Sequence, residues 1–216
     1  MENKHQVHNI IILDESGSMH TIKKTIIDGF NEIVQTVKGI GKEYPEQEHF
    51  ISLVSFNGLG TKVLHFMDPV DKLEQINDEN YRPNASTPLF DALGFGLNKL
   101  REELRNQKDY NVLVTILTDG AENASKEFTA SAIKSLIDEL KTEQWTFTYI
   151  GADHDVEAMA FSISIENTMV FKKNEQDIKA MFDLEKSARA SYSERIRNKE
   201  ADMSKFYDLK KGKKSE

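Results

Sequence analysis

The sequence contains no cysteine. That absence excludes disulfide frameworks, cysteine-held zinc, iron–sulfur clusters and thiol nucleophiles. Long apolar runs are missing too: no stretch approaches the ~18 consecutive apolar residues of a membrane-crossing helix. The first apolar run, Val7–Leu13, is stopped by Asp14 and is too short for a signal or anchor segment. A cytoplasmic location is therefore expected. Positive charge is in short supply, with 28 Lys and Arg against 36 Asp and Glu and a formal net charge of −8. Neutralising phosphates takes clustered Lys and Arg, so neither nucleic acid nor a membrane surface is expected as a partner. The six histidines form no H-E-x-x-H or comparable pair. Gly39-Ile-Gly-Lys42 lacks phosphate-loop spacing and follows a helical pattern, not a strand.

What is present suits one charge-rich α/β domain: 216 residues, 38% hydrophobic and 30% charged. Nearly continuous Val, Ile and Leu at Val7–Leu13 and again at Asn111–Leu117 read as strands buried on both faces. Phe50–Phe56 and Thr61–Met67, separated by the turn signal Asn57-Gly58, read as an antiparallel hairpin. Trp145–Ile150 and Thr168–Phe171 read as two further strands. Helical spacing appears between the strands. Ile22, Ile26, Ile27, Phe30, Ile33, Val34 and Val37 form one stripe, with the Gly39–Gly41 pair as its expected end. Leu89, Leu93, Leu97, Leu100 and Leu104 form a second, starting near Thr87-Pro88. Ile133, Leu136, Ile137 and Leu140 form a third behind Thr129 as N-cap. A short helix is expected within His154–Ser162, and a last one from Asn174 to Tyr192. Alternating strands and helices predict a mostly parallel sheet covered on both faces. The domain is expected to span residues 1–192. Residues 193–216 are expected to form a charged helical extension and a disordered basic tail ending Lys-Lys-Gly-Lys-Lys-Ser-Glu.

Three loops carry chemistry. Asp14-x-Ser16-x-Ser18 follows the first strand, Ser86-Thr87-Pro88-Leu89 opens a helix, and Thr118-Asp119-Gly120 follows the fourth strand. In open α/β sheets ligands gather at the carboxyl ends of the strands, where strand order reverses. Two carboxylates and three hydroxyls are hard oxygen donors, suited to Mg²⁺, Mn²⁺ or Ca²⁺ and unsuited to softer metals. Asp14, Ser16 and Ser18 alternate, so an extended segment turns all three to one side, and Gly17 permits a tight turn between the serines.

Asp14-Glu-Ser-Gly-Ser-Met, Thr87 within Ser-Thr-Pro-Leu-Phe-Asp-Ala-Leu, and Asp119 within Leu-Thr-Asp-Gly together resemble the metal-ion-dependent adhesion site of von Willebrand factor A (vWA) domains. The resemblance covers roughly residues 5–172, with all five ligand positions in order. It implies a Rossmann-like three-layer sandwich: a mostly parallel six-stranded sheet with one antiparallel edge strand and helices on both faces. It implies metal ligation by Asp14, Ser16, Ser18, Thr87 and Asp119, and a protein partner whose Asp or Glu completes the ion's shell. Phe147-Thr-Tyr-Ile-Gly-Ala-Asp resembles stand-alone bacterial and phage-associated members of the family.

Plainer readings stand beside these. Ser16 and Ser18 could merely cap a helix near Met19, as Thr87 could before Pro88, and Asp119-Gly120 is an ordinary turn on its own. Glu15 is expected to face solvent, and Ser55 and Asn57 to belong to a plain turn. Asp91 is either an orienting group or a solvated carboxylate. Asp153-His154-Asp155 are adjacent and diverge, which argues against a second metal site. Glu15, Asn84 and Ala121–Asn123 are expected to surround the open metal position and set specificity. Metal-assisted hydrolysis with Asp14 as nucleophile is the catalytic alternative, and a structural subunit of an ATPase or stress-response assembly is a third; neither an enzyme nor a silent scaffold is the favoured expectation.

Overall fold

The computed structural model describes residues 4–208. Six strands form one sheet in the order β3-β2-β1-β4-β5-β6: β1 His5–Asp14, β2 Gln47–Asn57, β3 Gly60–Pro69, β4 Tyr110–Thr118, β5 Trp145–Gly151 and β6 Asn167–Val170. Every neighbouring pair is parallel except β2 with β3, which form the antiparallel edge. The chain leaves β1 towards β2 on one side and returns to β4 on the other. The reversal of strand order therefore lies at the C-terminal ends of β1 and β4.

Alternate residues of the central strands feed two cores. Ile10 and Ile12 of β1 pack, with Val112, Val114 and Ile116 of β4, beneath α2 (Leu89–Leu104), α3 (Ala130–Lys141) and α4 (Val156–Ser162). Ile11 and Leu13 face the other way, against α1 (Lys23–Glu43) and α5 (Glu175–Arg197). Both faces of the sheet are thus buried, which is why β1 and β4 read as continuous apolar runs. The leucine stripe of α2 is wholly inside, and Gly96 brings that helix close enough that a Cβ there would stand 2.9 Å from Ile12. Thr129 caps α3 by accepting from the Ala132 N–H, and Asn174 caps α5 by accepting from Asp177.

Two expectations are corrected. The Gly39–Gly41 pair does not end α1, which continues to Glu43 because Val37 and Ile40 are buried on its inner face. Each glycine costs about 1 kcal/mol of helix propensity, less than the burial it accompanies. α5 runs without a break past Tyr192 into the charged segment and ends at Arg197. The segment after it is packed, not frayed, as far as Asp208. Phe206 is buried against Tyr192 and Leu113, Tyr207 donates to Glu185 at 3.0 Å, and Arg195 Nη1 donates to the Lys205 carbonyl at 2.6 Å. The expected basic tail lies outside the described residues. Among the described residues no helix is long and apolar enough to cross a membrane.

Candidate metal centre

β1 and β4 deliver their last residues to the crevice at the strand-order reversal. Asp14 closes β1 and is buried, and Thr118, the last residue of β4, donates its hydroxyl to Asp14 Oδ2 at 2.6 Å. Asp14 Oδ1 accepts from the Ser16 N–H at 2.7 Å, so the first loop folds back over its own aspartate. Ser16 and Ser18 lie with their hydroxyl oxygens 3.1 Å apart, and Ser18 donates to Asp119 Oδ1 at 2.5 Å. Thr87 reaches the same place from the second loop: a Cβ on Gly120 would lie 3.3 Å from Thr87 Oγ1 and 3.8 Å from Ser18 Oγ. A side chain at Gly120 would therefore fill the space between those oxygens. The five residues singled out in the sequence are brought together on three loops.

The surroundings explain why the loops hold still. The Tyr81 hydroxyl, wholly buried, donates to the Asp14 carbonyl at 2.7 Å. Gly17 N–H donates to Ala85 O at 2.9 Å and ties the first loop to the second. Asn123 accepts from the Thr87 N–H at 2.9 Å and donates its own N–H to Thr87 O at 3.2 Å. Glu122 caps the start of α2 by accepting from Phe90 N–H at 2.9 Å. Asp91 takes the N–H groups of Lys126, Glu127 and Phe128 at 2.8–2.9 Å, so it orients the 126–128 backbone and does not face the crevice as a free carboxylate.

Glu15 overturns its expected exposure. It is fully buried, accepting from Ser55 Oγ at 2.9 Å, from Arg82 N–H at 2.5 Å and from Lys62 Nζ at 2.8 Å. Ser55 and Asn57, read as a plain turn, both serve this loop: Asn57 Nδ2 donates to the Glu15 carbonyl at 3.3 Å. Of the residues expected to set specificity, Glu15 is thus committed inward, while Asn84, Ala121 and Asn123 are exposed, Asn123 with its side-chain oxygen tied to Thr87.

Asp153, His154 and Asp155 diverge as expected. His154 lies 3.1 Å from the Tyr149 hydroxyl and 2.6 Å from the Ala152 carbonyl, and Asp155 caps α4. Asp153 instead joins a residue the sequence reading missed. Lys173 places Nζ 2.7 Å from Asp119 Oδ2 and 2.7 Å from Asp153 Oδ2. Its position two residues after Phe171, past the end of β6, was the available signal, because all the crevice groups sit at that end of the sheet.

The electrostatics are those of a crowded anionic site. Burial, opposed by the bonds from Thr118 and Ser16 and assisted by the charge of Asp119, pushes the Asp14 carboxyl up to about 6. Partial burial works against the Lys173 ammonium, but Asp119 and Asp153 outweigh it and raise its pKa. Among the described residues no three His, Asp or Glu side chains gather as a metal-binding group; the crevice offers two carboxylates, with hydroxyls for the rest.

Fold and crevice together define an open, doubly wound α/β protein with a polar ligand face at the reversal of strand order. The chain belongs to the von Willebrand factor type A domain family, whose model matches residues 10–184. Domains of this family generally mediate protein–protein interaction and adhesion. No curated protein matches the chain. Among solved structures it is similar to a D319A mutant of the PilB minor pilin from Streptococcus sanguinis, with 14% identity and a TM-score of 0.62 over 92% of this chain and 64% of that one. It is also similar to a von Willebrand factor type A protein from Catenulispora acidiphila, with 14% identity and a TM-score of 0.60 over 88% of this chain and 43% of that one. A third is manganese-loaded TRAP protein from Plasmodium vivax, with 17% identity and a TM-score of 0.50 over 82% of this chain and 73% of that one. The chain thus spans less than two thirds of the length of the first two.

Proposed function

We propose that this chain is a non-enzymatic binding module that holds a divalent cation with Asp14, Ser16, Ser18, Thr87 and Asp119 and uses it to capture an Asp or Glu of a protein partner. The observation that carries the reading is the convergence of Asp14 and Asp119 with three hydroxyl residues from three loops in one partly buried crevice. The donor set fits a hard cation such as Mg²⁺, Mn²⁺ or Ca²⁺. It also has a reason to take one, since the buried Asp14 carboxyl is pushed up to about 6 and so resists bearing its charge alone. When bound, the ion supplies an electrophilic centre for an oxygen anion. This chain's residues hold the crevice open for that anion: the first loop is fixed by Tyr81 and Gly17, and the second by Asn123. A manganese-loaded relative of the same fold is consistent with this.

Binding is favoured over hydrolysis by the want of a general base beside Asp14, whose two oxygens accept from Ser16 N–H and Thr118 and keep further lone pairs for a cation. His154 is turned towards Tyr149 and the Ala152 carbonyl, which leaves it unsuited to act as a base for the crevice.

The test is capture of proteins on the immobilised chain in Mg²⁺, repeated in EDTA and with a Ser16→Ala, Asp119→Ala double variant whose circular dichroism matches the wild type. Capture lost in EDTA and in the variant is the expected result. Capture that persists in EDTA overturns the reading, and phosphoester turnover that depends on Asp14 replaces it with the catalytic one.

A further inference from the structure

Lys173 has no part in the ligand set, yet it occupies it. Its ammonium stands 2.7 Å from Asp119 Oδ2, while Asp119 Oδ1 holds the Ser18 proton at 2.5 Å. Both oxygens of the buried Asp119 are therefore engaged, one by a hydroxyl and one by a full positive charge. The lysine is not a surface residue that swings freely. Its side chain is 21% exposed and is clamped from the outside by Asp153, whose own carboxylate is 58% exposed. Its backbone stands directly before Asn174, the N-cap of α5, and just after Phe171, which is buried in the core beneath α1 and α5.

The charge count then matters. Asp14 and Asp119 bring two negative charges to the crevice, and Lys173 brings one positive charge within contact distance of one of them. A divalent ion approaching this site meets a carboxylate already half-neutralised and a cation close by. In the partly buried medium at the strand ends, like-charge repulsion at such range is only weakly screened by salt.

We propose that Lys173 is a built-in counter-cation of the crevice. It neutralises Asp119 when no ion is held, and it lowers the affinity of the site for a divalent ion by competing for Asp119 Oδ2. The inference rests on the metal-binding reading above and deepens it: Asp153 keeps Lys173 in position, and the pair sets how much ion the site needs before it can engage a carboxylate. A site tuned in this way takes its ion weakly and retains the ion's pull on an outside anion, because Asp119 does not deliver its whole charge.

Titration calorimetry with Mn²⁺ alone as the probe tests this in the full chain, on wild type, Lys173→Met, Lys173→Gln and Lys173→Arg, together with thermal unfolding in EDTA and in saturating Mn²⁺. Loss of the charge is expected to tighten Mn²⁺ binding about tenfold or more, while Lys173→Arg stays close to wild type. In EDTA the neutral variants are expected to melt below wild type, because Asp14 and Asp119 then face each other uncompensated, and in saturating Mn²⁺ they should regain the difference. Unchanged or weaker Mn²⁺ affinity in both neutral variants overturns the counter-cation role while leaving the metal site standing. Absence of Mn²⁺ binding to wild type and to every variant overturns both.

Discussion

Lys62, on the antiparallel edge strand, reaches across to within 2.8 Å of the Glu15 carboxylate, which is entirely buried beneath the first loop of the crevice. The strand pairing makes this possible: Lys62 lies opposite Ser55, and Ser55 also donates to Glu15. Glu15 is thus the buttress of Asp14 and Ser16, not a surface charge. Glu15→Ala strands the Ser55 hydroxyl and the Arg82 N–H without their acceptor, and the expected loss is about 2–4 kcal/mol of stability. Lys62 is half-exposed and returns to water, which keeps the loss from being larger. Glu15→Gln, which retains one acceptor oxygen, should lose less. Urea unfolding measures both, and equal stability of Glu15→Ala and wild type would remove the buttress from the account.

A second prediction concerns the contact of α1 with α5. A Cβ at Gly29 would stand 2.0 Å from the Phe182 ring, which is itself buried. Gly29→Ala gains helix propensity but must displace a packed ring, for an expected net loss of about 1–3 kcal/mol. Phe182→Leu should recover part of that loss in the Gly29→Ala background while costing stability on its own. That sign reversal in a double-mutant cycle is the measurement. Additive effects would show that the two residues do not meet.

The packed segment after α5 yields a third. Phe206 is buried on Tyr192, and Tyr207 bonds Glu185, which is paired with the equally buried Arg189 at 2.8 Å. Phe206→Ala should cost about 3 kcal/mol, the usual penalty for emptying a buried aromatic site. Hydrogen exchange at the end of α5 should accelerate with it. Exchange that stays at the wild-type rate would mean that the segment does not stabilise the helix.

Acid sensitivity supplies a fourth. Burial lowers the pKa of His8 and of His49 to about 4, His5 adding to the effect on His8 and Arg189 and His5 to that on His49. Both rings are neutral in the folded chain, while in the unfolded chain they take protons near the ordinary 6.5. The unfolded state therefore binds more protons between those values. Their contribution to stability is fully present above about pH 6.5 and is lost as pH falls from about 6.5 to about 4. Each histidine carries roughly 3 kcal/mol over that window. Asp14, raised to about 6, acts in the opposite sense, so the wild-type slope is a difference between the two effects. His49→Phe removes one histidine contribution, and its stability measured at pH 7 and at pH 4.5 should differ by less than that of wild type. An unchanged difference would mean that His49 is charged in the fold.

Much of this architecture was legible from local pattern. The continuous apolar runs of β1 and β4 and the leucine stripe of α2 each report burial directly, because those residues repeat at the period of the element that buries them. The five crevice residues were legible as well, since each follows a strand or opens a helix. Glu15 was not. Its burial depends on Ser55, Lys62 and Arg82, which lie 40 to 67 residues away, and nothing in its own neighbourhood encodes them. Lys173 was missed for the same reason, as its two anions come from the ends of two other strands. Phe206 was hidden because a single aromatic in a charged run carries no period. The Gly39–Gly41 pair misled because glycine signals a helix end only where packing does not hold the helix together.

The bond between Ser18 and Asp119 spans 101 residues of sequence, and that between Asp14 and Thr118 spans 104. Neither can form until β1 and β4 lie side by side, so the crevice is among the costliest parts of the chain to close during folding. Whatever later occupies it acts on a structure that is already assembled. An occupant of this crevice should therefore slow the rate at which the protein comes apart and leave the rate at which it assembles nearly unchanged. In time rather than in energy, the site acts as a brake on unfolding.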